Sequence, residues 1–183
     1  MMTQQNSQPV IETTQLVPLA KLFAFVENVL VEVGVPREDA HIVADCLTTA
    51  NLSGIDSHGV VRLAHYIRRL QNGTIKTRPE IVFERTGPAT GIVDGGHGLG
   101  HVVTYRACDH AMRLADEAGS GTIAIRNSSH FSMTGYYVKH VVERGYAAMM
   151  MTDTDAFLIP FGGRKAFFGT NPIAIGFPTD GIP

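Results

Sequence analysis

The chain has 183 residues, 44% of them hydrophobic, which is enough for one substantial core and excludes a disordered or fibrous polymer. Its 15 basic and 17 acidic residues leave a formal net charge of -2 with no block of like charge, so there is no electrostatic footprint for nucleic acid or for an anionic membrane surface. No apolar run approaches the roughly 18 residues of a membrane span, and the polar start MMTQQNSQPVIETTQ lacks the basic-then-apolar order of a secretion signal, so the expectation is a cytoplasmic protein.

Residues 1–15 read as a loose tail. Within residues 16–33, Leu19, Leu22, Phe23, Val26, Val29 and Leu30 recur at helical spacing, and Gly34 ends the run. Pro36, Glu38 and Asp39 suit the first turn of a second helix reaching about Leu52, with Gly54 as its stop. Asp56 or Ser57 is placed to cap a third, from about His58 to Gln71, ending at the turn signal Asn72-Gly73. After Pro79 the pattern changes. IVFER and TGIVDG are short and β-branched, with Gly87 and Pro88 between them, and predict two paired strands. Helical periodicity returns from His101 to Ala118 and closes at Gly119; TIAIRNS then reads as a buried strand, GYYVKHVVERG as a helix, and YAAMMMTD and NPIAIGFP as further apolar strands. The organisation expected is a tail (1–15), a helical segment (16–78) and an α/β segment (79–183). Only TDGIP follows the last strand, which is therefore either a sheet edge or short of the element that covers it. Cys46 and Cys108 stand alone, without metal spacing, and read as buried thiols.

Three stretches concentrate polar chemistry. In GIDSHGVVRLAHYI (54–67), a helix from His58 puts His58, Arg62 and Tyr66, with His65 beside them, on one stripe: a proton carrier, a cation and a phenol, with Ser57 next to the first. A capped helix with polar decoration is the plainer alternative. RNSSHFSMTGYY (126–137) puts His130 after the strand TIAI, at the end of the sheet where α/β folds place ligand groups. FFGTNPIAIGFP (167–178) leads into a strand through Gly169, Thr170, Asn171 and Pro172, residues that also make ordinary turns. DGGHGLGH (94–101) stands between a strand and a helix, the place of a dinucleotide phosphate loop, but Gly96 and Gly98 complete only GxG and His101 occupies the third glycine position. Tight-turn glycines and a looser anion contact at the helix start both stay open. His97 and His101 are four apart, the spacing of one helix face, but without HExxH or a nearby acidic ligand no metal site is expected.

In this order and spacing, DSHGVVRLAHY, SHF with GYY after it, and GTNPIAIGFP resemble the malate/L-lactate dehydrogenase family of the second type, over about residues 16–183. The resemblance implies an α/β fold with an N-terminal helical part followed by a mixed-sheet, non-Rossmann NAD(P)-binding domain, incomplete at the C-terminus, and a homodimer in full-length members. It implies NAD- or NADP-dependent oxidation of a small 2-hydroxy acid, or reduction of the matching 2-oxo or imino acid. Carried over by residue, Ser57 and His58 match the family's catalytic pair, and Arg62 and Tyr66 match positions that face the substrate. His130 matches a histidine assigned to proton transfer in some members and is counted among the cofactor contacts. Thr154 aligns with a cofactor-contacting hydroxyl, and Asn171 lies in the GTNP turn bordering the cofactor cleft. The residue types suit the chemistry: a neutral imidazole takes the hydroxyl proton as hydride leaves, and a guanidinium fork fixes the carboxylate.

Two departures accompany the resemblance. Ser132, followed by Met133, stands where the family has glycine after HF, which narrows the space beside His130. Family members also run to nearly twice this length, and the remainder holds an aspartate that partners the Ser-His pair. The expectation is thus an enzyme of this family at full length; the alternative is a truncated, inactive remnant serving as an interaction or dimerisation module. For residues 1–183 alone, the expectation is an incomplete cofactor cleft, weak NAD(P)H binding, no appreciable activity and an exposed apolar sheet face.

Overall fold

Pro18 and Pro36 stand immediately before the first two helices, where a missing N–H costs nothing. The computed structural model describes residues 16–181; the tail expected for 1–15 lies outside them. Helix α1 spans Leu19–Glu32, opening at the first residue of the apolar spacing because Pro18 is held extended, and α2 spans Arg37–Leu52. Their apolar faces meet as an antiparallel pair. Val26, Leu30, Val43, Ala44 and Leu47 are fully buried there with Tyr66 of α3 (Leu63–Gln71), and Leu99 and Val102 join the same cluster. Each such Val or Leu contributes about 1.5–3 kcal/mol relative to an exposed position.

The helices lead into a three-stranded mixed sheet. β1 (Val82–Arg85) pairs antiparallel with β2 (Thr90–Asp94), as the two β-branched stretches predict, and β2 pairs parallel with β3 (Thr122–Arg126). The parallel crossover is α4 (Gly100–Ala118), whose Val103 and Ala107 cover Val93 on one face of the sheet. Among the described residues the other face has no such cover, so β3 is not the buried strand its composition suggests: four of its five residues are exposed.

Helix α5 (Thr134–Val142) follows, then a separate antiparallel pair, β4 (Ala148–Met151) and β5 (Ile173–Gly176). The side-chain alternation splits this pair cleanly. Ala148 and Met150 pack toward the cluster around Tyr136 and Tyr137, while the opposed pairs Met149–Ile175 and Met151–Ile173 stand in solvent. Phe157, Leu158, Ile159, Phe161, Phe167 and Phe168, from the excursion between the strands, are exposed as well. Cys46 and Cys108 are buried free thiols, and burial pushes both up to about 12.

Candidate active site

A single helix from His58 does not form. Asp56–His58 and Val60–Arg62 are two separate 3₁₀ turns, and α3 begins only at Leu63. Gly59 between them is extended and buried, and a β-carbon there would stand 2.3 Å from Asn51 Oδ1. Asn51, at the end of α2, organises the interruption: its Oδ1 accepts the Val60 N–H at 2.9 Å and its Nδ2 donates to Asp56 Oδ1. Neither Asp56 nor Ser57 caps a helix. Ser57 Oγ instead bonds His58 Nδ1 at 3.0 Å, and Arg62 Nε donates to the Ser57 carbonyl at 2.6 Å, drawing the two turns together. The helical stripe expected of His58, Arg62 and Tyr66 is thus replaced by a folded-back loop held by side-chain to backbone bonds, which compete with helix wherever Asn and Ser are near.

The loop from Asn127 to Met133, between β3 and α5, supplies His130 from the other side. Tyr66, fully buried, donates its hydroxyl to His130 Nδ1 at 2.6 Å, and the Ser132 N–H faces the same nitrogen at 3.4 Å. With two donors on Nδ1, the neutral imidazole carries its proton on Nε2. The rings of His58 and His130 lie 5.7 Å apart and 25° from parallel. The loop is pinned at its root by Ser129, whose Oγ accepts the Gly100 N–H at 2.9 Å and donates to the Gly98 carbonyl at 3.0 Å. A β-carbon on Gly100 would fall 2.0 Å from the Ser129 carbonyl oxygen, so the glycine run 95–100 lets α4 start against the His130 loop, and the first N–H of the helix goes to Ser129.

Both histidines are neutral near pH 7. Burial lowers His58 below its ordinary 6.5, helped by the Arg62 guanidinium. His130 keeps part of its surface in solvent, yet burial of the rest brings it down to about 4, reinforced by His58, Arg62, His65 and Arg69. Arg62 is exposed, and among the described residues no carboxylate lies within ion-pair distance of it. His65 is exposed and touches the edge of Tyr66.

Ser57, His58, Arg62, Tyr66 and His130 therefore form one cluster. Thr154 and Asn171 form another, at the ends of β4 and β5: Asn171 Oδ1 accepts the Thr154 N–H at 3.0 Å, and Thr154 Oγ1 accepts the Thr170 N–H at 2.8 Å. No hydrogen bond joins the two groups among the described residues. His97 lies outside α4 at a positive φ of 64°, so it shares no helix face with His101, which is fully buried behind Tyr66 with its ring 4.8 Å away and nearly perpendicular. Asn51, Ser129 and His101 escape a reading based on periodicity: each looks like an ordinary polar residue at an element end, and only a partner that the fold brings to it gives it a role.

A family model described as Malate/L-lactate dehydrogenase matches residues 17–183. The malate dehydrogenase of Pyrococcus abyssi is 43% identical over 167 residues, covering 91% of this chain and 46% of the relative. The ureidoglycolate dehydrogenase (NAD(+)) of Escherichia coli K12 is 33% identical over 160 residues, covering 87% and 46%. The solved structure of malate dehydrogenase from Pyrococcus horikoshii superimposes with a TM-score of 0.87 at 42% identity, covering 90% of this chain and 47% of that one. The chain spans about half the length of the curated relatives it matches. Helical segment, mixed sheet and paired-histidine loops thus coincide with a match over nearly all of the sequence, and the chain belongs to the malate/L-lactate dehydrogenase family.

Proposed function

We propose that the protein serves NAD(P)-dependent oxidation of a small 2-hydroxy acid, or reduction of the matching 2-oxo acid, with proton transfer at the His58–His130 pair. The observation that carries this reading is the stacking of two neutral imidazoles beside an exposed arginine that has no carboxylate partner among the described residues. Removing hydride from a carbinol carbon requires a base for the hydroxyl proton and a cation for the carboxylate, and this cluster contains both.

His58 is the base: its Nδ1 is held by Ser57 Oγ, and with the proton on Nδ1 its Nε2 is an acceptor. His130, held by Tyr66 through Nδ1, presents Nε2–H as a donor to the substrate oxygen. Tyr66, matched to a substrate-facing position, acts in this arrangement through His130, since its hydroxyl is already engaged. Arg62 is fixed by its Nε on the Ser57 carbonyl, which leaves its terminal nitrogens to grip a carboxylate as a fork.

Thr154 and Asn171 fit a nicotinamide cofactor by donor chemistry, a hydroxyl and an amide fixed across two adjoining loops and open to solvent. A bound NAD(P)+ supplies the hydride acceptor, and Thr154, Asn171 and His130 would hold it. The test is nicotinamide absorbance with protein from its natural reading frame, NAD+ or NADP+, and malate, lactate and ureidoglycolate in turn, with the oxo acids in reverse. Turnover on at least one pair is expected; none in either direction with either cofactor refutes the reading and favours an interaction module, for which the exposed apolar face of β4–β5 is the supporting feature.

A further inference from the structure

Ser132 touches both sides of the candidate site. It is buried in the loop between β3 and α5, and its φ of 69° lies in the left-handed region that a residue with a β-carbon adopts reluctantly. Its Oγ donates to the His58 carbonyl at 2.6 Å, across 74 positions of sequence, and its N–H faces His130 Nδ1. The His58 carbonyl ends a three-residue 3₁₀ turn, an element too short to hold its own shape. Asn51 and Arg62 brace that turn from its own side of the molecule. Among the described residues, the Ser132 hydroxyl makes the one hydrogen bond between the backbone of residues 56–62 and the loop that carries His130.

We propose that Ser132 is a positioning residue that sets the spacing and tilt between the His58 and His130 rings; the proposal rests on the reading of these histidines as the proton-transfer pair. The backbone strain at this residue is maintained by the two contacts it makes possible, one to each histidine. A glycine in its place would adopt the same turn freely, yet would leave the His58 carbonyl without this partner. Ser132 therefore couples two loops that the rest of the fold only brings near each other.

The experiment compares Ser132→Gly with Ser132→Ala, following the imidazole signals of His58 and His130 by NMR through a pH titration. Both variants lose the hydroxyl, while only Gly also relieves the left-handed backbone. The expected result is that His58 shifts alike in both, its midpoint rising toward 6.5 as the ring gains water, while thermal stability separates them with Gly above Ala. The charged and titratable groups around the pair, Arg62, His65 and Arg69 on the Asp56–Gln71 side and His101 on α4, are the same in every sample. If Ser132 acted through its β-carbon alone, by strain or by filling, Ala would keep that role and leave His58 unmoved while Gly shifted it. Unchanged His58 signals in Ser132→Ala or in Ser132→Gly overturn the proposal, and Ser132→Cys, which keeps the β-carbon but offers only a weak donor, takes the place of Ala should Ala fail to fold. The titration needs neither substrate nor cofactor, so an absence of dehydrogenase turnover bears on the function proposed above and not on this result.

Discussion

His101→Phe should make the protein markedly less sensitive to acid. His101 is fully buried, neither ring nitrogen has a hydrogen-bond partner among the described residues, and burial with the nearby His130 brings it down from 6.5 to about 3. Because the folded state holds this imidazole neutral, its effect on stability is absent above pH 6.5. As pH falls below that value the unfolded chain takes up a proton that the folded chain refuses, and stability is lost until the pH reaches about 3. At about 1.4 kcal/mol per pH unit, two units of acidification from the ordinary value, to about pH 4.5, cost the wild type roughly 2–3 kcal/mol through this side chain alone. Phenylalanine keeps a ring against Tyr66 and does not titrate. At neutral pH the relief of unpaired nitrogens, about 1–3 kcal/mol, is set against a similar cost for the larger ring. The signature is therefore the difference between the proteins: near zero at pH 7.5 or so, and growing by roughly 1.4 kcal/mol per unit below the ordinary histidine value. His130 titrates in both and cancels. Urea unfolding at several pH values measures the difference directly, and parallel curves for variant and wild type would falsify the assignment of a neutral buried imidazole.

His58→Ala or His130→Ala should each cut turnover by about two to four orders of magnitude, the usual scale for losing acid–base help, and steady-state rates with the best hydroxy acid check this. Unchanged rates in both would sink the pair as the proton-transfer site. Arg62→Lys should already be damaging on a 2-hydroxy acid, because an ammonium cannot form the bidentate fork, and far less so on the corresponding amide; equal losses on both substrates would make Arg62 structural. Residues 1–183 in isolation should bind a hydrophobic dye and elute as a self-associated species, with NADH or NADPH binding weaker than micromolar. Paired substitutions Met149→Lys and Ile175→Glu on the open face should reduce both dye binding and association, and a monodisperse monomer with tight NADH binding from the unmodified chain would contradict this reading.

The helices were legible where apolar spacing and punctuation agree: Pro36, Gly34 and Gly119 mark ends that the structure keeps within a residue or two. The break at Gly59 was not legible, since Leu63, Tyr66 and Leu70 satisfy helical spacing and the competing amide of Asn51 lies nine residues from the N–H it captures. β3 reads as buried because composition reports what a strand could bury, whereas exposure depends on how many faces the neighbouring helices cover. The meeting of His58 with His130 came from family resemblance in the motifs, as nothing in local periodicity joins residues so far apart. Ser132 was visible as a departure from that pattern, but its left-handed backbone and its reach to His58 are products of the tertiary fold.

The bond that ties the His58 turn to the His130 loop spans 74 residues, and the Tyr66 bond from α3 to the same loop spans 64, with the three-stranded sheet and α4 lying between their ends. Closing loops of that length costs entropy that no local contact repays in advance, so these bonds form only after the intervening sheet and crossover helix have docked. Closure of the Ser132–His58 contact is therefore expected to follow docking of the sheet rather than to nucleate it. On heating, the expected first event is separation of the His58 turn from the His130 loop, which parts the paired imidazoles while α1, α2 and the mixed sheet are still intact, a partial opening that leaves most of the secondary structure in place.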